Sequence, residues 1–214
     1  MTQDRTPHWQ SIYRTKQSTD VSWFSPHLAT SMDLLKQAGL NERSRVLDVG
    51  AGASTLVDDL LRMGVRSIAA LDLSEAALQV ARQRLGETAS QVQWIVGDIT
   101  QLQLPEVSID LWHDRAALHF LVDPTAAVSY VRLATHVFAD GGYAVIGCFA
   151  ADGPERCSGL PIVRRDPQDI AALFGPSFVM VDGRRETHTT PSGGAQRFAY
   201  ALLRKLSPGE VSGK

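Results

Sequence analysis

Cysteine is scarce. Cys148 and Cys157 are the only two in 214 residues, too few for a disulfide framework and not spaced as a C-x-x-C pair. An excess of either charge is also lacking. Lys and Arg number 21 against 23 Asp and Glu, and no run of five or more like charges occurs, which argues against nucleic acid as the main partner. The longest apolar run, Tyr143 to Ala151, is too short to span a bilayer, and the opening MTQDRTPHWQ lacks the apolar core of a signal peptide. A soluble, cytoplasmic protein with no membrane partner is expected. Repeats are missing, and the one biased segment is a polar tail, 207–214, expected to be disordered. Spacings such as H-x-H or H-x-x-E are missing near Cys157, so no metal is expected and Cys157 reads as a neutral thiol lining a pocket.

What is present is enough apolar content, 44%, for one sizeable core in a chain of this length. An N-terminal arm and covering helix over 1–39 and a core over 40–206 are expected to form one domain. The chain is organised around Arg45-Val46-Leu47-Asp48-Val49-Gly50-Ala51-Gly52-Ala53-Ser54. An apolar run ends in an acid, breaks into glycines and continues with Leu56, Val57, Leu60 and Leu61 at helical spacing, which reads as strand, tight loop and helix. Glycine at 50 and 52 lets a ligand approach bare backbone. The dinucleotide fingerprint G-x-G-x-x-G/A fails, because its sixth position is Thr55. Asp48 would repel a pyrophosphate but suits a ligand carrying an amine or a positive charge.

At these residues the chain resembles the class I S-adenosylmethionine (SAM)-dependent methyltransferases, whose first motif is an acid followed by G-x-G-x-G. Ser54 stands at the last glycine. Further landmarks follow at the family's order. Ser67 to Asp72 reads as a second strand ending in an acid, which in the resembled family grips both ribose hydroxyls and which otherwise reads as helping to cap the next helix alongside Ser74. Val92 to Val96 is a third strand, followed by Gly97-Asp98-Ile99, where the family places contacts to the adenine amino group and ring. The resemblance implies cofactor contacts at Asp48, Gly50, Ala51, Gly52, Ser54, Asp72, Leu73, Asp98, Ile99 and His113. It also implies an α/β fold: a three-layer αβα sandwich on a Rossmann-like, seven-stranded, mostly parallel sheet with an antiparallel last strand.

The fourth strand, Ser108 to Trp112, leads into His113-Asp114-Arg115-Ala116-Ala117-Leu118-His119. This group of titratable side chains looks like the D-K-G-x-x-x-x-[LIV] segment of small lysine methyltransferases acting on an elongation factor, with Arg115 replacing the lysine. His113 and Asp114 are the candidates for proton removal; His119 reads either as a pocket residue or as a satisfied buried side chain. Substrate-pocket candidates are Trp9, Tyr13 and Trp23 in the arm, Arg115, His119, Cys157 in the irregular loop 152–161, Arg165, and His188 in a polar loop over 186–194. Ser25-Pro26 reads as the cap and first residue of a helix. No D/N-P-P-Y/F motif follows the fourth strand, which argues against methylation of DNA bases. A small-molecule acceptor is expected, with S-adenosylhomocysteine as the other product. The alternatives are a protein lysine methyltransferase and a SAM-binding regulator without turnover.

Overall fold

The computed structural model describes residues 4–105 and 108–211. Five strands run in parallel: β1 (Arg45–Val49), β2 (Ser67–Asp72), β3 (Val92–Val96), β4 (Ile109–Arg115) and β5 (Phe138–Phe149). After a short hairpin of β6 (Arg156–Cys157) and β7 (Leu160–Pro161) come β8 (Phe178–Thr189) and β9 (Ala195–Lys205). The large sheet has the order β3-β2-β1-β4-β5-β9-β8, and β9 runs antiparallel to both of its neighbours. The seven-stranded, mostly parallel sheet with an antiparallel last strand is therefore present.

Helices cover both faces, as continuous apolar strands require. Successive side chains of a strand point to opposite faces, and the core divides accordingly. Val46 and Leu111 face α2 (Ala29–Gln37) and α3 (Leu56–Arg62), together with Leu78 of α4 (Glu75–Leu85). Leu47, Val49 and Trp112 face α5 (Pro124–Val137) and α6 (Pro167–Phe174). Helix α1 (Thr6–Thr15) lies outside these layers, against α4, and none of its residues is fully buried. The chain leaves β1 toward β2 on one side, while β4 enters on the other. The strand order thus reverses between β1 and β4, and the carboxyl ends of such strands open a crevice.

Four expectations need correction. The helix read from Ser25-Pro26 begins at Ala29; the Ser25 hydroxyl bonds the His27 carbonyl at 2.7 Å, closing a local turn instead. β4 extends beyond Trp112, so His113, Asp114 and Arg115 are strand residues. His188 belongs to β8, paired with Gln196, and not to a loop. The tail does not turn irregular at Ser207: α7 (Pro208–Val211) forms one turn, with Glu210 accepting from the Ser207 amide at 2.9 Å and from Arg204 at 2.8 Å. The rest of the tail, 212–214, lies outside the described residues.

Candidate active site

The crevice at the carboxyl ends of β1 to β4 opens into a cavity lined by Asp72, Leu73, Gly97, Asp98 and Ile99 on one side and by Arg115, Ala116, Phe120, Leu121 and Cys157 on the other. The arm roofs it with Arg5, Trp9, Tyr13 and Trp23. A second cavity lies on the other side of Tyr13 and Trp23, lined by Asp48, Ala51, Ser54 and His113. Arg115 and Gly50 belong to both.

The glycine loop works through conformation and closeness. Gly50 has φ 66°, a left-handed value that favours glycine, and a Cβ there would stand 2.5 Å from the Cβ of Ala117. Gly52 has φ 52°, and the Tyr13 hydroxyl sits 2.7 Å from where its Cβ would be. The Gly52 amide donates to Asp72 Oδ2 at 2.9 Å and the Ser74 amide to Asp72 Oδ1 at 2.7 Å. Burial nevertheless pushes the Asp72 carboxyl up to about 6, against the two amides that favour its charged form. Asp98 is held by the Thr100 amide at 2.8 Å and the Thr100 hydroxyl at 2.7 Å.

Asp48, 1% exposed, is held by a relay through the sheet. His113 Nδ1 lies 2.7 Å from Asp48 Oδ1, and its Nε2 lies 2.9 Å from the Ser31 hydroxyl on α2. A carboxylate only accepts, so Nδ1 carries the hydrogen. Asp48 Oδ2 is buried with no partner. An acceptor left bare in a buried place is costly unless a donor arrives, and this one borders the second cavity.

Of the two catalytic expectations, His113 borders the second cavity with both ring nitrogens engaged. Asp114 is turned away: Oδ1 accepts from the Ala117 amide at 2.8 Å, and Oδ2 from the Leu118 amide at 3.0 Å and the Tyr130 hydroxyl at 2.7 Å. Alternation along β4 explains it, because Asp114 follows Trp112 onto the α5 face. These bonds hold a turn in which Ala116 has φ 73°, where the likened D-K-G segment has glycine. Burial raises the Asp114 carboxyl to about 6.

His119 is buried between Phe120 and Phe149, at ring separations of 4.4 and 4.9 Å. Burial, then the charges of Arg165, Arg115 and Arg5, lower its imidazole to about 3. Arg165 also lies outside the cavity lining, with its amide bonded to the Phe149 carbonyl at 2.9 Å. His188 Nε2 donates to the Ser22 carbonyl at 2.9 Å and so pins the arm to β8. The structure thus brings Trp9, Tyr13, Trp23, Arg115 and Cys157 together and leaves His119, Arg165 and His188 outside the larger cavity. Sequence reading missed Arg5, Phe120 and Gln10. Gln10 Oε1 accepts from the Ala76 amide at 3.1 Å, docking the arm on the start of α4; no local pattern marks any of the three. Among the described residues, no group of three His, Cys, Asp or Glu is placed to hold a metal ion.

With this geometry in view, residues 46–142 match the family described as "Methyltransferase domain". An uncharacterized methyltransferase of Mycobacterium tuberculosis is 33% identical over 101 residues, 47% of this chain and 49% of that protein. The mouse eEF1A lysine and N-terminal methyltransferase is 24% identical over 111 residues, 52% of this chain but 16% of its own length. The chain therefore spans about half of the one relative and a sixth of the other. In structure, the Burkholderia thailandensis 1,6-didemethyltoxoflavin-N1-methyltransferase, with bound 1,6-didemethyltoxoflavin and S-adenosylhomocysteine, superposes with a TM-score of 0.69 at 22% identity, covering 95% of this chain and 84% of that one. Together the motif order, the crevice at the strand-order reversal and these matches make residues 46–142 similar to the methyltransferase-domain family and give the chain the Rossmann-like fold of such enzymes.

Proposed function

We propose that the chain is a SAM-dependent methyltransferase acting on a small-molecule acceptor. The observation that carries the cofactor assignment is the unpartnered Asp48 Oδ2, a buried acceptor bordering a cavity beside a glycine loop. It suits the ammonium group of SAM. Asp72 retains lone pairs for ribose hydroxyls beyond those used by Gly52 and Ser74, and Asp98 with the Ile99 amide faces the place of an adenine. Bound there, SAM supplies a methyl group already activated by a sulfonium. The chain's own task is then alignment and exclusion of water, which the Trp9, Tyr13 and Trp23 roof provides.

The roof also favours a small acceptor. It covers the larger cavity with aromatic side chains, and the Burkholderia neighbour holds 1,6-didemethyltoxoflavin. A protein lysine acceptor is the second reading, favoured by the matched segment of the mouse relative. Titration calorimetry with SAM and with S-adenosylhomocysteine tests the cofactor assignment. Micromolar binding is expected, and Asp72→Ala should weaken it by about 1–3 kcal/mol, the usual loss for a buried hydrogen-bond partner. Equal affinity in a folded Asp72→Ala protein would remove that contact. Methyl-labelled SAM incubated with lysate then separates the acceptors: label on small molecules supports the first reading, label on protein the second.

A further inference from the structure

The acceptor side of the larger cavity is unusual in what faces it. Its titratable groups are Arg5, Tyr13, Asp72, Asp98, Arg115 and Cys157. Asp72 and Asp98 stand at the β2 and β3 ends, where the proposed cofactor contacts lie. Tyr13 and Cys157 hold their protons: burial raises the tyrosine well above its ordinary value and the thiol to about 12. The three groups that could have removed a proton from an acceptor are engaged elsewhere. Asp114 closes a turn, His119 is sealed behind Phe120, and His113 is bonded at both nitrogens. An ammonium, aliphatic alcohol or other acceptor that must lose a proton during transfer finds no base here beyond the two carboxylates assigned to the cofactor.

What faces the space instead is cationic and aromatic. Arg115 donates from Nε to the Tyr200 hydroxyl at 3.0 Å and from Nη1 to the Trp23 carbonyl at 3.0 Å, and lies over Phe198 at 4.2 Å. Its Nη2 is buried and has no partner. The Glu186 carboxylate meets the same Tyr200 hydroxyl, but none of these bonds from Arg115 is to a carboxylate, and its guanidinium stands in the cavity wall beside Cys157. Trp9 packs edge-on against Trp23 at 5.7 Å and Phe120 at 5.0 Å, forming an angled, apolar aromatic wall. Positive charge repels an ammonium and stabilises an anion, and an aromatic wall favours a soft, polarisable partner.

We propose that the acceptor is an aromatic or apolar thiol, bound and methylated as its thiolate, with Arg115 as the cation that holds the charge. The proposal rests on the methyltransferase assignment above and deepens it. The thiol loses its proton to solvent on binding. The thiolate sulfur then forms a bond to the methyl carbon as the bond from that carbon to the sulfonium breaks, and the electron pair of that bond stays on the cofactor sulfur. The products are a neutral thioether and S-adenosylhomocysteine, and no protein group changes protonation. The neutral product loses its attraction to Arg115, which favours release.

The test uses para-acetylbenzenethiol, whose thiol and thiolate absorb at different wavelengths, with the full chain saturated with S-adenosylhomocysteine so that no turnover occurs. Binding of S-adenosylhomocysteine is established first by calorimetry; its failure rejects the underlying assignment rather than the acceptor class. With the nucleotide bound, the absorbance titration of the thiol should shift to lower pH by about one unit or more, a tenfold or greater preference for the thiolate. Arg115→Met and the milder Arg115→Lys should reverse that shift fully and partly, while still binding S-adenosylhomocysteine. With SAM, kcat/KM for the thiol should exceed that for para-acetylaniline and para-acetylphenol at least tenfold, and Arg115→Met should lose about tenfold or more, as for a charge-assisted hydrogen bond. An unshifted titration, or an amine or phenol methylated as well as the thiol, overturns the proposal and leaves the methyltransferase assignment standing.

Discussion

The two halves of the sheet's carboxyl edge treat their buried carboxylates in opposite ways. On the β1 and β2 side, Asp48 keeps one oxygen unpartnered and Asp72 remains in the cavity wall. On the β4 side, Asp114 is equally buried but is committed to the Ala117 and Leu118 amides and to Tyr130. The turns behind them account for the difference. Gly50-Ala51-Gly52 takes its left-handed values at glycines, and the carboxylate that its Gly52 amide engages, Asp72, comes from the neighbouring β2. The turn after Arg115 places an alanine at φ 73° and uses Asp114 as a brace. Asp48 keeps an oxygen free for a ligand because the glycines after it spare it from holding the turn, whereas Asp114 is spent on its own.

The strongest challenge to this contrast is Asp114→Ala, which strands two buried amides and a buried hydroxyl. A stability loss of about 3 kcal/mol is expected in urea unfolding; a loss under about 1 kcal/mol would show that the brace is not needed. The same brace has a pH signature. Its folded pKa, about 6, lies above the unfolded value near 4. The stability from its proton uptake is therefore fully present below about pH 4 and lost as pH rises through about 6. Asp114→Asn should flatten that part of the profile.

A smaller effect sharpens the other half of the comparison. His113→Ala removes the hydrogen bond that orients Asp48, so SAM affinity should fall by about 1 kcal/mol, the worth of one hydrogen bond. Turnover at saturating SAM should hardly change. Loss of turnover with intact affinity would instead make His113 a catalytic residue. The smallest expected effect is Ala116→Gly. Relief of the left-handed alanine, about 1 kcal/mol, is partly offset by the entropy of glycine. A net gain below about 1 kcal/mol should appear as a slightly raised urea midpoint, and a clear loss would mean that the Ala116 methyl packs more than it strains.

The β1 to β3 half is legible in the sequence because its parts are local. β2 and β3 are short apolar runs bounded by turn residues, and Asp48, Asp72 and Asp98 each sit one or two residues from the strand end or glycine that gives them meaning. The other half is assembled from distant segments. Phe120 and Cys157 meet Arg5 and Trp9 only in three dimensions, and no spacing announces it. Side-chain direction on β4 is fixed by partners as remote as Ser31 and Tyr130, so His113 and Asp114 look like bases in the sequence and are fastened elsewhere in the fold. Ser25-Pro26 misleads for a related reason: it has the chemistry of a helix start, but the Ser25 hydroxyl closes a turn of its own.

The roof of the cavity lies outside the segment that carries the family match. Arg5, Trp9, Tyr13 and Trp23 precede residue 46, and Cys157 follows residue 142. The glycine loop and the three aspartates lie within it. Drift in the arm and in the loop after β5 can therefore change what is admitted without disturbing the nucleotide side. Relatives alike over the matched segment are therefore free to differ in substrate, because the residues that roof the cavity lie outside it.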